Sequence, residues 1–539
     1  MPTLNWIGKE AVVNHHLKVP FHLLRDVPDL ACGEPGEGNL IVEGDNLIAL
    51  KALLPYYAGQ VKCIYIDPPY NTGNEGWAYN DNVNSPLMKD WLGKTVGKEG
   101  ETLDRHDRWL CMMYPRLALL RQFLREDGAI FISLDDNEIQ NLRSVMDELF
   151  GKANFVATII WHKIFSPKNT ARQLSESHDY IVLYAKNSSI WKPNLIPRAS
   201  QQDDRYKNPD NDSRGVWASS DLSARNYYSL GTYPVICPSG RIIENPPPGR
   251  YWTISKDNFE KLDQDNRIYW GKKGGNMPRL KRFLSEVKAG VVPETIWSHT
   301  EVAHTQEAKK ELLAVINFEN SDEVFITPKP TRLLERILHI ATAPGDLILD
   351  SFAGSGTTGH AVLKLNSTSP DHAPRRFILA EIEAKVAREV TAERVKRVAQ
   401  GYTNAKGEKV ECLGGGFRYC TLGETLFDEE GKIRESVRFA DLARHVYFTE
   451  TGEPLPRERV PNTPLLGVCR GVAIYLLYNG ILGDKSVNGG NVLTRKTLAL
   501  LPPFDGPKVV FAAGCLLGRD RLAAEQITVR QTPYEIRVS

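Results

Sequence analysis

The segment from Asp346 to Gly359 constrains the fold more than any other stretch of this chain. Asp346-Leu347-Ile348-Leu349-Asp350 is a short apolar run between acids and reads as a buried strand. A glycine-rich turn follows, Ser351-Phe352-Ala353-Gly354-Ser355-Gly356-Thr357-Thr358-Gly359, and His360-Ala361-Val362-Leu363 then reads as helix. Strand, glycine turn and helix is how a doubly wound parallel sheet holds a nucleotide-like cofactor. Gly354 and Gly356 suit a turn in which backbone and ligand approach closely, because a Cβ there would clash. Gly354, Gly356 and Gly359 match the spacing of the dinucleotide fingerprint, but a phenylalanine precedes them. No Gly-Lys-Ser/Thr follows, so no triphosphate cradle is implied.

A second segment narrows the chemistry. The run Cys63-Ile64-Tyr65-Ile66 leads into Asp67-Pro68-Pro69-Tyr70. A carboxylate, a rigid stretch of backbone carbonyls and an aromatic ring thus meet at the C-terminal tip of a predicted strand. That set suits methyl transfer to the exocyclic amine of a base drawn out of a nucleic-acid stack. The amine is a poor nucleophile, because its lone pair is delocalised into the ring. Two acceptors on its N–H bonds draw it toward tetrahedral geometry. Asp67 can be one and the carbonyl of Pro68 the other, held extended by Pro68 and Pro69. Tyr70 offers a face for stacking. The same tetrapeptide also reads as a Pro-Pro turn closing a strand, with Asp67 as a cap and Tyr70 as packing.

Together the two motifs resemble those of the beta group of S-adenosylmethionine-dependent DNA adenine (amino) methyltransferases, in which the amine motif precedes the glycine motif. Further segments resemble the modification subunits of type III restriction systems and their stand-alone relatives. These are Gly44-Asp45-Asn46-Leu47, Asn71-Thr72-Gly73, Pro115-Arg116-Leu117, the stretch from Gly128 to Glu138, Ser177 to Tyr184, and Thr327-Pro328-Lys329-Pro330-Thr331. The resemblance covers about residues 38 to 400. It implies an α/β, Rossmann-like methyltransferase sheet with a large inserted target-recognition domain and a smaller C-terminal domain. The implied reaction is base flipping in double-stranded DNA and methylation of N6 of adenine. Cytosine N4 methylation is the near alternative, since Ser is commoner than Asp at the first position of the tetrapeptide there. A DNA-recognition subunit that needs a partner is a third reading.

Asp350, Phe352, Gly354, Gly356 and Thr357 are expected to line the cofactor's methionine side. The resemblance implies that Asp45 and Asn46 meet its adenine amine, that Lys329 and Pro330 lie beside its carboxylate, and that Glu381 holds the ribose hydroxyls. Glu381 and Glu383 also read as helix caps. Asp135, Asp136 and Glu138 close a predicted strand or cap the next helix, and His178 reads as a structural hydrogen-bonder or a functional group.

At 539 residues the chain is long enough for two or three domains. The predicted organisation is an irregular segment 1–38, a first catalytic part 39–189, a target-recognition domain 190–326, a second catalytic part 327–400, and a C-terminal domain 401–539. The apolar helix predicted over 108–126 carries Trp109, Met112, Met113, Leu117 and Leu120 at helical spacing; it suits either core or a homodimer interface. No apolar run reaches the ~18 residues of a membrane span. The eight cysteines form no CxxC pair, so a zinc site and a disulfide framework are not expected, and a reducing cytoplasm fits. No helicase or nuclease motif is present, so cleavage in a restriction system would reside in a separate subunit.

Net charge is only +1, so any DNA-binding charge must be local. Between Lys192 and Glu294 stand 17 Lys and Arg against 12 Asp and Glu. Arg241, Arg250, Lys272, Lys273, Arg279, Lys281 and Arg282 are interleaved there with Tyr251, Trp252, Tyr269 and Trp270. Cations with aromatics suit phosphate contact and base stacking, although a solvated, loop-rich insertion has the same composition.

Overall fold

The computed structural model describes residues 4–33, 38–72, 105–167, 173–198, 203–287, 290–316, 318, 327–369, 371–404, 406–430, 433–455, 460, 462–478 and 490–532. Gly73, the loop residues 34–37 and the boundary expected at 326 lie outside them. The described residues fall into two compact units, Asn194–Pro293 and the remainder of the chain.

The larger unit is built on one ten-stranded sheet. Its strands in chain order are β1 (His22–Asp26), β2 (Leu40–Glu43), β3 (Val61–Ile66), β4 (Leu124–Leu134), β5 (Phe155–His162), β6 (His178–Ala185), β7 (Ile296–Trp297), β8 (Leu347–Asp350), β9 (Arg376–Glu381) and β10 (Arg418–Thr425). Their spatial order is β1-β10-β2-β9-β8-β3-β4-β6-β5-β7. The central six strands, β10 to β4, run parallel, with β1 and β6 antiparallel to their neighbours. Parallel strands covered on both faces need apolar residues throughout rather than alternation. Accordingly Cys63 to Ile66 of β3 and all of β8 are buried.

Helices α1 (Asn46–Tyr57), α2 (Arg105–Phe123), α3 (Ile139–Phe150), α4 (Thr331–Ala341), α5 (Thr357–Ser367) and α6 (Glu393–Gln400) accompany the strands. α3 buries Leu142, Val145, Met146 and Phe150 at helical spacing and stops at Gly151, whose φ of 88° no L side chain adopts readily. α2 is buried along almost its whole length, including Trp109, Met113, Leu117 and Leu120. It is therefore core, and the dimer-interface alternative for this helix does not hold. From β3 the chain passes through α2 to β4 on one side; from β8 it passes through α5 to β9 on the other. The switch in direction lies between β8 and β3, where an open α/β sheet forms a crevice outside the carboxyl ends of its strands.

Three expectations about organisation are corrected. The first 38 residues are not irregular throughout: β1 pairs with β10, and short helices cover Lys9–Val12 and His15–Lys18. The segment after 400 is not a separate domain. β10 inserts between β1 and β2, and α7 (Phe439–Thr451) buries Leu442, Ala443, Val446 and Tyr447 in the same core as β2 and α1. Beyond it, a four-stranded sheet (Leu465–Cys469, Val472–Leu476, Lys508–Ala512, Ile527–Gln531) carries a satellite core around Tyr475 and Val510. Finally, the inserted unit ends at Pro293 rather than 326, because β7 and the helix Thr305–Val315 return to the larger unit. These segments escape sequence reading because their partners are hundreds of residues away, and a single edge strand carries little periodic signal of its own.

The inserted unit has its own core of Leu222, Tyr233, Val235, Ile243, Trp252, Phe259, Ile268 and Trp270. A three-stranded antiparallel sheet, Trp217–Asp221, Ile268–Tyr269 and Arg279–Phe283, frames it.

Candidate active site at the carboxyl edge of the sheet

The register puts a row of acids along one edge. Asp45 follows β2, Glu381 ends β9, Asp350 ends β8, Asp67 follows β3 and Asp135 follows β4. β6 runs the other way, and Leu134 pairs with Tyr180, so Asp179 at the start of β6 arrives at this same edge.

At the switch point, Lys329 joins the two distant motifs. Its Nζ forms an ion pair with Asp67 Oδ2 and stands 5.1 Å from the centroid of the Tyr70 ring. Its carbonyl accepts the Thr357 hydroxyl at 3.1 Å. The other carboxylate oxygen, Asp67 Oδ1, is buried with no hydrogen-bond partner among the described residues. Ser351 Oγ, at the first position of the glycine turn on the neighbouring strand, is also buried with no such partner. Buried polar atoms without partners are rare in native folds, and two flanking one crevice mark a place for a ligand.

The tetrapeptide is pinned from several sides. Trp109 Nε1 donates to the carbonyl of Pro69 at 2.7 Å, so Pro69's carbonyl is committed to the fold. Asn71 adopts a left-handed conformation with φ of 58°. Its amide donates to Glu138 Oε1 and to the Arg105 carbonyl at 3.0 Å. Glu138, fully buried, also contacts His106 Nδ1 at 2.6 Å and Asn141 Nδ2 at 2.7 Å. It makes no cap bond to α3; it is a clamp on the chain after Tyr70, a role no local pattern reveals. Asp135 accepts from the Asn137 backbone and side chain, and burial raises its carboxyl pKa. The Tyr70 phenol is held well above its ordinary pKa by burial and by the Asp179 and Asp67 carboxylates, and it stays protonated near neutral pH.

The glycine turn is shaped mostly by the protein's own groups. Asp350 accepts the Phe352 N–H at 3.0 Å and the Thr358 hydroxyl at 2.5 Å. Burial pushes its carboxyl up to about 7 against those two bonds. Glu381 accepts from Gly354 N–H and from Glu383 N–H, both at 2.9 Å. Gly354 (φ 50°) and Gly356 (φ 72°) are both left-handed. A Cβ on Gly356 would sit 2.9 Å from the carbonyl of Thr391. Close packing against the helical segment Ala387–Ala392 excludes a side chain there. Thr357 is likewise occupied: Arg394, fully buried, donates to its hydroxyl at 2.8 Å. Phe352 is partly buried against the main core.

Asp45 caps α1 through Leu47 N–H at 2.7 Å and pairs with Arg116 at 3.2 Å. Asn46 accepts from Arg116 Nε at 2.5 Å and donates to the Ser351 carbonyl at 3.0 Å, which ties α1 to the glycine turn. Arg116 is the organising residue missed in the sequence: its lack of exposure was hidden by its charge.

In the inserted unit, the seven candidate DNA-contacting residues divide. Lys281 is 1% exposed and ion-paired with Asp210 at 2.5 Å and Asp212 at 2.9 Å, so it is a core cation and not a phosphate ligand. Arg279 and Arg250 both meet Asp221, at 3.2 and 3.9 Å. Trp252 and Trp270 are buried, so neither offers a stacking face. Arg241, Lys272, Lys273 and Arg282 are exposed. Arg241 donates to the Gly275 carbonyl at 3.0 Å, which gathers Arg241 and the Lys272-Lys273 loop together.

Among the described residues no group of His, Cys, Asp and Glu could hold a metal ion, and no helix is long and apolar enough to cross a membrane.

The chain is similar to known proteins over most of this sheet. The chain is 36% identical over 385 residues to the Mod subunit of the type III restriction-modification enzyme StyLTI of Salmonella typhimurium, a match covering 67% of this chain and 57% of that protein. It is 28% identical over 510 residues to the EcoPI Mod subunit of Escherichia phage P1, covering 83% and 74%. It is 28% identical over 405 residues to the type II methyltransferase M.KpnI of Klebsiella pneumoniae, covering 69% and 90%. The chain thus spans little more than half the length of the first of these relatives. A family model described as DNA methylase matches residues 61–393, from the strand that carries Asp67 to the helix beyond Glu381, and with more than half its length so matched the chain belongs to the DNA methylase family.

Proposed function

We propose that this protein transfers a methyl group from S-adenosylmethionine to the N6 amine of adenine in double-stranded DNA, with the target base rotated out of the duplex into the crevice between β8 and β3. The observation that carries this reading is Asp67 Oδ1, buried beside the Tyr70 ring and without a partner among the described residues. It is an acceptor placed for an N–H bond that the protein itself does not supply.

The residues fit the cofactor. Ser351 Oγ is buried without a partner among the described residues on the glycine turn, Phe352 offers an apolar face, and Glu381 stands at the end of β9, where the resemblance implies the ribose hydroxyls. The cofactor supplies an electrophilic methyl on a sulfonium. Asp67 Oδ1 and the Pro68 carbonyl accept from the amine and localise its lone pair. Lys329 balances the Asp67 charge, and Tyr70 carries the base. The amine nitrogen gains the methyl and gives up one proton, for which Asp67 is the acceptor. Positioning and preorganised charge do most of the work. In this reading Asp45 and Asn46 support the cofactor's adenine end through α1 and the turn, while Arg241, Lys272, Lys273 and Arg282 meet DNA phosphates.

Adenine is proposed over cytosine because the tetrapeptide begins with Asp. The relatives named as Mod subunits favour a second element: assembly with a separate restriction subunit, alongside a homodimer on the family resemblance. A cytoplasmic location agrees with eight free cysteines. The test is transfer of labelled methyl to duplex DNA by the purified chain, with single-molecule sequencing of DNA from expressing cells to read the base and its context. Transfer only after a partner is added supports the subunit reading; methyl at cytosine N4 overturns the adenine assignment.

A further inference from the structure

We propose that Asp179 and Lys163 are a positioning pair for Tyr70, holding the aromatic ring in the orientation on which the target base stacks. The inference rests on the proposed stacking role of Tyr70 and deepens it.

Asp179 is 2% exposed, at the second position of strand β6. Its Oδ2 accepts the Tyr70 hydroxyl at 3.3 Å, and its Oδ1 accepts Lys163 Nζ at 2.5 Å. Lys163 is itself fixed. Its carbonyl accepts the Thr305 N–H at 3.0 Å and hydroxyl at 3.1 Å, and its N–H donates to the Ser177 carbonyl at 2.9 Å. The backbone on either side of the ring is anchored separately, by Trp109 at Pro69 and by Glu138 at Asn71. The hydroxyl bond therefore controls what those anchors leave open, which is the swing of the ring about its Cα–Cβ bond; the hydroxyl oxygen lies on the ring's flip axis, so flipping about that axis is not what the bond restrains. Lys329 stands over the ring at 5.1 Å and restricts one side.

A buried carboxylate paired with a half-buried ammonium is a poor way to gain stability, since taking the carboxylate out of water costs much of what the pair returns. At this edge of the sheet it supplies direction instead. A stacking platform that is already oriented loses less entropy when the base arrives. Asp179 does not touch the reacting atoms in this scheme. It acts through Tyr70.

The ring can be read without DNA. In protein labelled with 3-fluorotyrosine, the Tyr70 signal is identified by its disappearance in Tyr70→Phe. We expect a narrow, dispersed Tyr70 signal in the parent chain, as for a ring held in one rotamer. Asp179→Leu should broaden it and move it toward the position of a solvent-exposed fluorotyrosine, and Asp179→Asn, which keeps an acceptor for the hydroxyl, should leave it narrow and dispersed. With the active enzyme, Tyr70→Phe and Asp179→Leu should each lower kcat about tenfold or more, the size of one lost bond to a charged acceptor. KM for DNA and cofactor affinity should change little, and the double variant should be no slower than either single one. An unbroadened signal in Asp179→Leu, or losses that multiply in the double variant, overturn the proposal. Should Asp179→Leu not fold, Tyr70→Phe decides: wild-type kcat there overturns it, and a kcat loss restricted to that step supports it. A chain whose fluorine spectra behave as expected but which transfers no methyl would leave the positioning intact and overturn the methyl-transfer reading.

Discussion

Lys329 and Asp67 stand on opposite sides of the inserted unit in the chain, yet their side chains form an ion pair in the crevice between β8 and β3. The resemblance implied that Lys329 would lie beside the cofactor's carboxylate. The structure shows it on the catalytic candidate, with one oxygen of Asp67 engaged and the other open. Asp67→Ala is expected to lower methyl transfer by about a hundredfold to ten-thousandfold, the range for a positioned acid–base group. Cofactor affinity should hardly move. Labelled-methyl transfer and a direct cofactor titration separate the two, and unaltered turnover would remove Asp67 from the mechanism.

Glu138 tests the support behind the tetrapeptide. Glu138→Ala leaves the amide of Asn71 and the ring of His106 without their buried acceptor. We expect a stability loss of about 1–3 kcal/mol and a fall in transfer. Glu138→Gln, which retains one acceptor oxygen, should restore part of both in thermal unfolding and activity.

The glycine turn makes a separate prediction. At Gly356 a side chain meets both a φ of 72° and the Thr391 carbonyl 2.9 Å away. Gly356→Ala should destabilise the protein by about 1–2 kcal/mol from the left-handed backbone alone, and more from the close contact. Gly354→Val should abolish cofactor binding, measured by titration, by displacing the N–H that Glu381 accepts.

For the inserted unit, Lys272→Ala and Lys273→Ala should each reduce the slope of log affinity against log salt by about 0.9 on duplex DNA. Lys281→Met should leave that slope unchanged, because its ammonium is buried against Asp210 and Asp212. Its effect should appear in thermal unfolding, where Asp212 is left with Arg214 and Asp210 with the Trp217 N–H. An unchanged slope in both lysine variants would move the DNA contact elsewhere.

Asp350 gives a pH signature. Its folded carboxyl is raised to about 7, above its unfolded value. The folded state therefore holds the proton longer, and stability falls as pH rises from about 4 to 7. Above that window both states are ionised and the penalty is constant. Asp350→Asn removes the titration, so its stability relative to the parent should improve by about 1 kcal/mol or more between pH 5 and 7.5. A pH-independent difference would show that the carboxyl is not raised.

What could be read from sequence was whatever is short-range. β3 and β8 are continuous apolar runs ending in acids, and both appear where their residues place them. The tetrapeptide and the glycine turn were likewise identifiable, since each is one contiguous segment with unusual residues. At Gly356 the atom a side chain would meet, the Thr391 carbonyl, is 35 residues further along the chain and so was not legible locally. Charged residues were misjudged for the same cause. Lys281 read as a DNA-contacting cation, and it is buried by carboxylates that no local pattern connects to it.

By itself the sequence determined the chemistry available: an acid-plus-ring tetrapeptide and a glycine turn, each at a strand end, because backbone propensity and apolar periodicity act over a few residues. Only the tertiary structure decided which of those groups meet. The parallel pairing of β3 with β8 brings the two motifs to one crevice, inserts β10 into the sheet, and sets Lys329 on Asp67. Strand order and ion pairing depend on contacts across the whole chain, and the free energy that selects them comes from burying the sheet's two faces together.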